Sequence, residues 1–489
     1  MGKICVLVRL ASIAAFCLVT LNFSSAQTFK TLVTFNGTDG ASPGYGSLTQ
    51  ATNGMLVGTT IYGGDLYGGN SGCPSPYGCG TVFAMTAGGQ LFTVDSFAPN
   101  GGPGVPSNGL FQASDGNFYG TSAVGGANDC GTVFMVSANG LLTTLYSFSC
   151  DANGGNPQGG LVQATNGFLY GTTSSSGAYG SGTVFRMTTG GALTTVYSFC
   201  PGGSSNGCPD GATPTVSLIQ ASDGNLYGTT LNGGWIMGTV FKMTLAGNLS
   251  TIYTFCSLGH CLDGNTPRSA LIEGPDGSLY GTSVGGGQIG AGSVYRITTD
   301  GQFSTVFNFS GSDGGQPSGA LVYASDGNFY GTTQGGWTNA GTAFRLTPSG
   351  TMKILHAFCS QQNCADGQSP YAGLTQHTDG TLYGTTYQGG DLNCSTGTSG
   401  CGTVFRIYEG LPPFVEPTPN LGRTGAAVTI LGTGMTGATA VTFNGTTAQF
   451  AVVSSGAIKA VVPSGATTGK IQVTLPSRTV SSILNFTVR

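Results

Sequence analysis

One eight-residue segment recurs seven times along this chain, and that repetition restricts the fold more than any other feature. The copies are Asn53–Thr60 (NGMLVGTT), Asp115–Ser122 (DGNFYGTS), Asn166–Thr173 (NGFLYGTT), Asp223–Thr230 (DGNLYGTT), Asp276–Ser283 (DGSLYGTS), Asp326–Thr333 (DGNFYGTT) and Asp379–Thr386 (DGTLYGTT). Their central glycines, Gly58, Gly120, Gly171, Gly228, Gly281, Gly331 and Gly384, stand 50 to 62 residues apart. A period of this order marks an array of supersecondary units, none of which can bury its apolar face alone.

Each copy holds four strand-like runs. In the third they are Gly160–Ala164 (GLVQA), Phe168–Thr173 (FLYGTT), Gly182–Met187 (GTVFRM) and Leu193–Phe199 (LTTVYSF), with Asn166-Gly167 between the first two. Asn-Gly or Asp-Gly between two β-rich runs is a strong hairpin signal. Four antiparallel strands per unit of about 50 residues is the plan of a propeller blade. The array is also offset. The seventh copy stops after Gly402–Ile407 (GTVFRI), while an orphan fourth strand, Thr28–Phe35 (TFKTLVTF), precedes the first. A linear solenoid gains nothing from that offset, whereas a ring closed by the N-terminal strand loses its exposed sheet edges. The expected fold is therefore all-β: a seven-bladed β-propeller over residues 27–410, a Pro-rich linker over 411–419, and an immunoglobulin-like β-sandwich over 420–489. In the last part Val428–Leu431, Ala440–Phe443, Ile458–Val462, Lys470–Leu475 and Phe486-Thr487-Val488 alternate as sandwich strands do.

The repeat units resemble the GloVer-type tandem-repeat family of secreted bacterial proteins, over residues 28 to about 410. Asn420–Gly434, Phe443-Asn444-Gly445 and Val462-Pro463-Ser464-Gly465 resemble the IPT/TIG immunoglobulin-like domain. The first resemblance implies an extracytoplasmic location and implies no reaction.

Export is also read from the residues. Lys3 and Arg9 supply a basic start, Leu10–Leu21 is apolar apart from Ser12 and Thr20, and Ser24-Ser25-Ala26 fits a cleavage site, giving a signal peptide over 1–26. The apolar run is too short for a membrane span, so no transmembrane segment is expected in the mature chain. Of 14 cysteines, Cys5 and Cys17 leave with the signal; the rest form close pairs, Cys73/Cys79, Cys130/Cys150, Cys200/Cys208, Cys256/Cys261, Cys359/Cys364 and Cys394/Cys401. Local pairs in an exported chain read as disulfides. C-x2-C spacing is missing and only His260 stands beside a pair, so no metal is expected, and no cofactor. The net charge of −4, with no basic patch, argues against nucleic acid as a partner.

Strand order sorts the loops onto two faces. The Asp-Gly turns lie on one; the loops after YGTT and those joining the blades, with all the cysteine pairs, lie on the other. Trp235, Trp337, Tyr62, Tyr179 and Tyr387 belong to that stapled face. Exposed rings there suit stacking on sugars, although the same rings can simply pack on glycine-rich loops. Most acidic residues repeat around the array and read as turn caps: Asp115, Asp223, Asp276, Asp326 and Asp379 in the hairpin turns, Asp39, Asp210, Asp263, Asp313 and Asp366 in a DGxxP motif between blades. Asp65, Asp129 and Asp391 do not repeat and are the weak candidates for acid–base work on a glycoside. Arg186, Lys242, Arg296, Arg345 and Arg406 read as a stripe whose stems pack between blades. The favoured function is a secreted or cell-surface, non-enzymatic binding or adhesion protein, its partner an extracellular glycan or a cell-surface protein. The alternatives are a polysaccharide hydrolase or lyase, and a purely structural envelope component.

Overall fold

The computed structural model describes residues 27–64, 78–97, 102–203, 207–234, 237–336, 340–394 and 399–489. The signal peptide, Asp65, Cys73, Trp235 and Trp337 lie outside the described residues. The fold is all-β: the helices among the described residues are three 3-10 turns of three residues, Gly259–Cys261, Gln362–Cys364 and Met435–Gly437.

The repeat region forms seven antiparallel sheets, each following the chain order of its own copy. In the third, Val162–Gln163, Leu169–Thr173, Thr183–Met187 and Leu193–Ser198 bond in sequence. The first two sheets carry an additional short strand, Ala41–Pro43 or Pro103–Pro106. The seventh copy supplies Thr375–Gln376, Leu382–Thr386 and Thr403–Tyr408, and its outermost strand is Thr28–Thr34, antiparallel to Thr403–Tyr408. The innermost strand is shorter than its apolar run predicts, two residues where the third copy has a run of five. The flanking residues bond elsewhere: the Gly160 amide donates to Ser217 Oγ of the next copy at 2.9 Å, and the Ala164 amide to Phe168 O across the turn at 3.0 Å.

The repeat motif is explained by contacts inside each sheet. The YGTT glycine lies directly under the aromatic ring of the third strand. A Cβ on Gly171 would stand 2.5 Å from Phe185 Cζ and 2.7 Å from Leu161 Cδ2, and Gly58, Gly120, Gly228, Gly331 and Gly384 meet their own phenylalanines in the same way. The second hydroxyl of the motif pairs with the first residue of the third strand in all seven copies, from Thr60–Thr81 at 2.9 Å to Thr386–Thr403 at 2.9 Å. These hydroxyls are buried, so each satisfies the other where water cannot. At Asp115, Asp223, Asp276 and Asp326 the turn aspartate accepts the amide two residues on and the tyrosine hydroxyl four residues on, as Asp115 does from Asn117 at 3.0 Å and Tyr119 at 2.7 Å.

Neighbouring sheets are joined by equally regular contacts. The residue before the DGxxP proline has left-handed backbone in every copy, from Val105 at φ 44° to Thr213 at φ 58°. Non-glycine residues seldom accept that conformation. Here it aims the amide at the preceding copy: Asn156 donates to Cys130 O at 2.8 Å, Thr213 to Ser181 O at 2.9 Å, and Ser42 to Cys401 O at 2.8 Å, so the first copy bonds to the seventh. The proline that follows rests on the glycine opening the neighbour's third strand, Pro157 on Gly131 and Pro43 on Gly402. A glutamine on the innermost strand caps the neighbouring turn, Gln112 Oε1 accepting from Thr52 N at 2.8 Å and Gln50 Oε1 from Thr378 N at 2.8 Å. Apolar clusters bridge successive sheets, one of them combining Val33, Leu56 and Phe83 with Tyr383 and Val404.

Residues 415–488 build two further four-stranded sheets, and a short parallel pair of Leu421–Gly422 with Thr487–Val488, around a core of their own, which includes Val428, Ile430, Val441, Phe443, Ile458, Ile471, Val473 and Phe486. One sheet runs Glu416–Thr418, Ala427–Leu431, Ala457–Val461, Phe450–Ser454; the other Thr446–Thr447, Ala440–Phe443, Ile471–Leu475, Arg478–Ser481. Part of the Pro-rich stretch is thus an edge strand, the position in a sheet that tolerates proline. This sandwich abuts the hairpin turns of the repeats. Thr433 and Thr378 hydroxyls meet at 2.8 Å, Ser454 Oγ donates to Thr52 O, and Arg489 Nη2 donates to Ser222 O at 2.7 Å. Among the described residues no helix is long and apolar enough to cross a membrane.

Candidate functional site

All seven copies contribute to one cavity of about 570 Å³. Its lining follows from the junction just described. The residue after the DGxxP proline faces it in six copies: Ser107, Gln158, Thr215, Arg268, Ser318 and Tyr371. In the first copy that position is Gly44, and its neighbour Tyr45 lines the cavity instead. The residue following YGTT contributes again, as Ile61, Ala123, Leu231, Gln334 and Tyr387. The proline and the YGTT threonines are repeated for structural reasons, whereas the positions beside them vary from copy to copy.

Four tyrosines from the first and seventh copies gather here. Tyr45 and Tyr371 rings stand 5.2 Å apart edge to face, Tyr371 and Tyr387 5.1 Å apart edge to face, and Tyr45 and Tyr387 6.3 Å apart and near parallel. Tyr62, at the end of the Leu56–Tyr62 strand, lines the same cavity. Tyr45 is 50% exposed, and the other three are half-buried. Burial first, then the neighbouring Tyr62 and Tyr45, pushes the Tyr387 hydroxyl well above its ordinary value. Burial also raises Tyr45, with Tyr371 and Tyr62 adding to it and Arg268 opposing. The Tyr45 and Tyr387 hydroxyls are therefore neutral donors at physiological pH. Tyr62 and Tyr387 lead into the loops that hold the cysteines of the first and seventh copies, so the cluster belongs to the stapled face.

The structure thus unites two of the predicted ligand-binding residues, Tyr62 and Tyr387, and adds Tyr45, Tyr371 and Arg268, which sequence reasoning missed. Their signal was the variability of one position beside a repeated proline. Tyr179 is 49% exposed on another loop and does not line the cavity. Asp129, at φ 53°, accepts the Gly125 amide at 2.7 Å, and Asp391 accepts the Asn393 amide at 2.9 Å. Both hold local turns, and neither lines the cavity. The DGxxP aspartates tie down inter-copy loops: Asp210 accepts from Tyr197 at 2.8 Å, Asp263 from Tyr253 at 2.7 Å, and Asp366 bonds His356 at 2.9 Å.

The basic residues of the third strands reach back to the turns. Lys242 pairs with Asp223 at 2.8 Å and Arg296 with Asp276 at 2.7 Å, while Arg186 lies over the Phe168 ring at 5.1 Å. Burial opposes ionisation of Asp223, but hydrogen bonds from Lys242, Tyr227 and Asn225 outweigh it and hold that carboxyl at about 2. Among the described residues no three His, Cys, Asp or Glu side chains converge on a possible metal position. A second cleft, of about 1360 Å³, lies between the turns of the first three copies and the sandwich, and Leu48, Thr49 and Phe111 border both spaces.

Five of the six expected disulfides are formed between described residues: Cys130–Cys150, Cys200–Cys208, Cys256–Cys261, Cys359–Cys364 and Cys394–Cys401. The sixth expectation, Cys73 with Cys79, differs from these five. Cys79 is disulfide-bonded and buried at 2% exposure, packed among Val82, Phe97 and Leu110. Its expected partner Cys73 lies outside the described residues, so the Cys73–Cys79 pairing is not among the bridges described and remains an expectation from their spacing.

Comparison with known proteins agrees with this division of the chain. The pattern of the Gloeobacter/Verrucomicrobia repeat matches residues 63–261 and 206–398, and that of the IPT/TIG domain matches residues 415–488. No curated protein sequence matches the chain. Similar solved structures include a fungal alcohol oxidase of the AA5 family in complex with copper, at 12% identity and a TM-score of 0.52, covering 94% of this chain and 99% of the oxidase. Another is a periplasmic gluconolactonase from Pseudomonas aeruginosa, at 16% identity and a TM-score of 0.40, covering 70% of this chain and 97% of the lactonase. At these identities the oxidase likeness concerns the fold alone.

Proposed function

The chain belongs to the Gloeobacter/Verrucomicrobia repeat family and carries an IPT/TIG domain, and we propose that it is an exported, non-enzymatic binding protein that takes glycan at the tyrosine-rimmed end of a closed, seven-bladed propeller. Closure is supported by contacts between the seventh and first copies of the kinds that recur between other neighbours: Ser42 on Cys401, Pro43 on Gly402 and Gln50 on Thr378. Export is supported by the basic and apolar N-terminus and by the disulfides, which persist in oxidising compartments. In this reading residues 1–26 are the signal peptide, 27–410 the propeller, 411–419 the connection and 420–489 the sandwich.

The tyrosine cluster in the cavity carries the binding assignment. Pockets of roughly 300–1,000 Å³ lined by aromatic rings with a few polar groups are the usual form of small-ligand sites. Ring faces with neutral hydroxyls at their edges match the apolar faces and equatorial hydroxyls of a sugar. A purely structural role leaves the varied lining unexplained, because its flanking residues repeat and it does not. An enzyme is not favoured, since Asp129 and Asp391 are occupied in turns. The copper of the fungal oxidase is not carried over, because at 12% identity the likeness concerns the fold alone.

The test is retention of the purified protein on a panel of immobilised polysaccharides, compared with a Tyr371→Ala/Tyr387→Ala variant and, separately, a Trp235→Ala/Trp337→Ala variant. Retention by the parent, lost in the tyrosine variant with unchanged circular dichroism, is expected. Loss in the tryptophan variant alone would move the site to the outer loops. Failure of the parent to bind any glycan would sink the assignment.

A further inference from the structure

Arg268 is the one charged side chain in the cavity lining among the described residues. We infer that the cavity is selective for acidic saccharides, with the carboxylate of a uronic acid held by Arg268 and its ring packed against Tyr45 and Tyr371. The inference rests on the glycan-binding reading above and narrows it to a ligand class.

Three observations carry it. First, Arg268 occupies the variable position after a repeat proline, where the other copies place Gly44, Ser107, Gln158, Thr215, Ser318 and Tyr371, all uncharged. Nothing in the repeat requires a cation there, and only 7% of the chain is charged. Second, Arg268 forms no ion pair among the described residues, unlike Lys242, Arg296 and Arg345, which pair with Asp223, Asp276 and Glu409. Its side chain is exposed to the cavity, which no acidic residue lines among the described residues. Third, Arg268 acts electrostatically on Tyr45, so guanidinium and ring share one neighbourhood. A guanidinium presents a rigid fork of donors that matches a carboxylate in two parallel hydrogen bonds. The molecule as a whole has a net charge of −4, so long-range attraction does not bring an acidic chain to it, and the selectivity is local.

The experiment is calorimetric titration with pairs of oligosaccharides that differ only in charge: oligogalacturonate and its methyl ester, and oligomannuronate and its methyl ester. For at least one pair the free acid is expected to bind about tenfold or more tightly than the ester, the gain typical of a charge-assisted hydrogen bond. Arg268→Gln should abolish that preference, bringing the affinity for the free acid down to that for the ester. Arg478→Gln, an exposed change on the sandwich, should leave the preference intact. Equal affinity for acid and ester in both pairs, or a preference that survives Arg268→Gln, overturns the inference. In that case, loss of ester binding in Tyr371→Ala/Tyr387→Ala would still uphold the glycan-binding reading. If neither form binds the parent, both fall.

Discussion

At the scale of single residues, the repeat is a set of solved packing problems, and one copy solves its problem differently. The ring that covers the YGTT glycine is Phe83, Phe134, Phe185, Phe241, Phe344 or Phe405, but Tyr295 in the fifth copy. The Tyr295 hydroxyl is buried and has no hydrogen-bond partner among the described residues. Burial alone drives its ionisation far above the ordinary range, so it stays neutral and unsatisfied. An unpaired buried hydroxyl costs about 1–3 kcal/mol. Tyr295→Phe, which restores the side chain used elsewhere, should therefore raise stability by about 1 kcal/mol. Urea denaturation would register the gain as a higher midpoint at constant slope; a lower midpoint would mean that the hydroxyl has a role the other copies lack.

At the scale of elements, the connections need more support than the strands. Each meander is held by its own ladder, by the paired hydroxyls and by the clusters on either side. The loops leaving it are rich in glycine, and covalent links reinforce them. Cys130 precedes the Thr132–Val136 strand and Cys150 follows the Leu142–Ser147 strand, and their bridge closes a separation of 20 residues. Removing a bridge of that span should cost about 3 kcal/mol on the chain-entropy account. A Cys130→Ala/Cys150→Ala variant is thus expected to melt well below the parent, and added reductant should lower the parent's melting temperature toward it. Identical melting curves would mean that the loops are held by their backbone bonds alone.

At the scale of the whole molecule, the N-terminal strand is the piece with the greatest leverage. Thr28–Thr34 pairs along Thr403–Tyr408; Val33 and Phe35 are buried, and the Phe29 ring stacks on His356 and lies near Phe405. It therefore ties the last two copies together, and through Val33 the first. A chain lacking residues 27–35 would leave the Thr403–Tyr408 edge unpaired, and unpaired edges promote association. Such a chain should unfold at much lower denaturant concentration and self-associate in light scattering. A monomer of parental stability would show that the array does not depend on this strand.

Residue patterns with a short range were legible directly. The copies, the Asn-Gly and Asp-Gly turns, the strands of the sandwich and five of the cysteine pairings all depend on spacing along the chain, and spacing is what a sequence records. The strand ends were less legible: the innermost run of the third copy looks five residues long because it is apolar, but only Val162–Gln163 joins the ladder, while Gly160 bonds the next copy and Ala164 closes the turn. The cavity was not legible at all. Tyr45 and Tyr371 come together over more than three hundred residues. They meet because each copy turns its chain toward a common space through a left-handed residue and a proline. Arg268 looks like an ordinary surface cation until that geometry places it in a cavity with tyrosines and, among the described residues, no carboxylate. By itself, then, the sequence determined which units form, because they are built from local hydrogen bonds and periodic apolar residues. Only the tertiary structure decided which variable side chains share a cavity, because that depends on how seven units pack against one another.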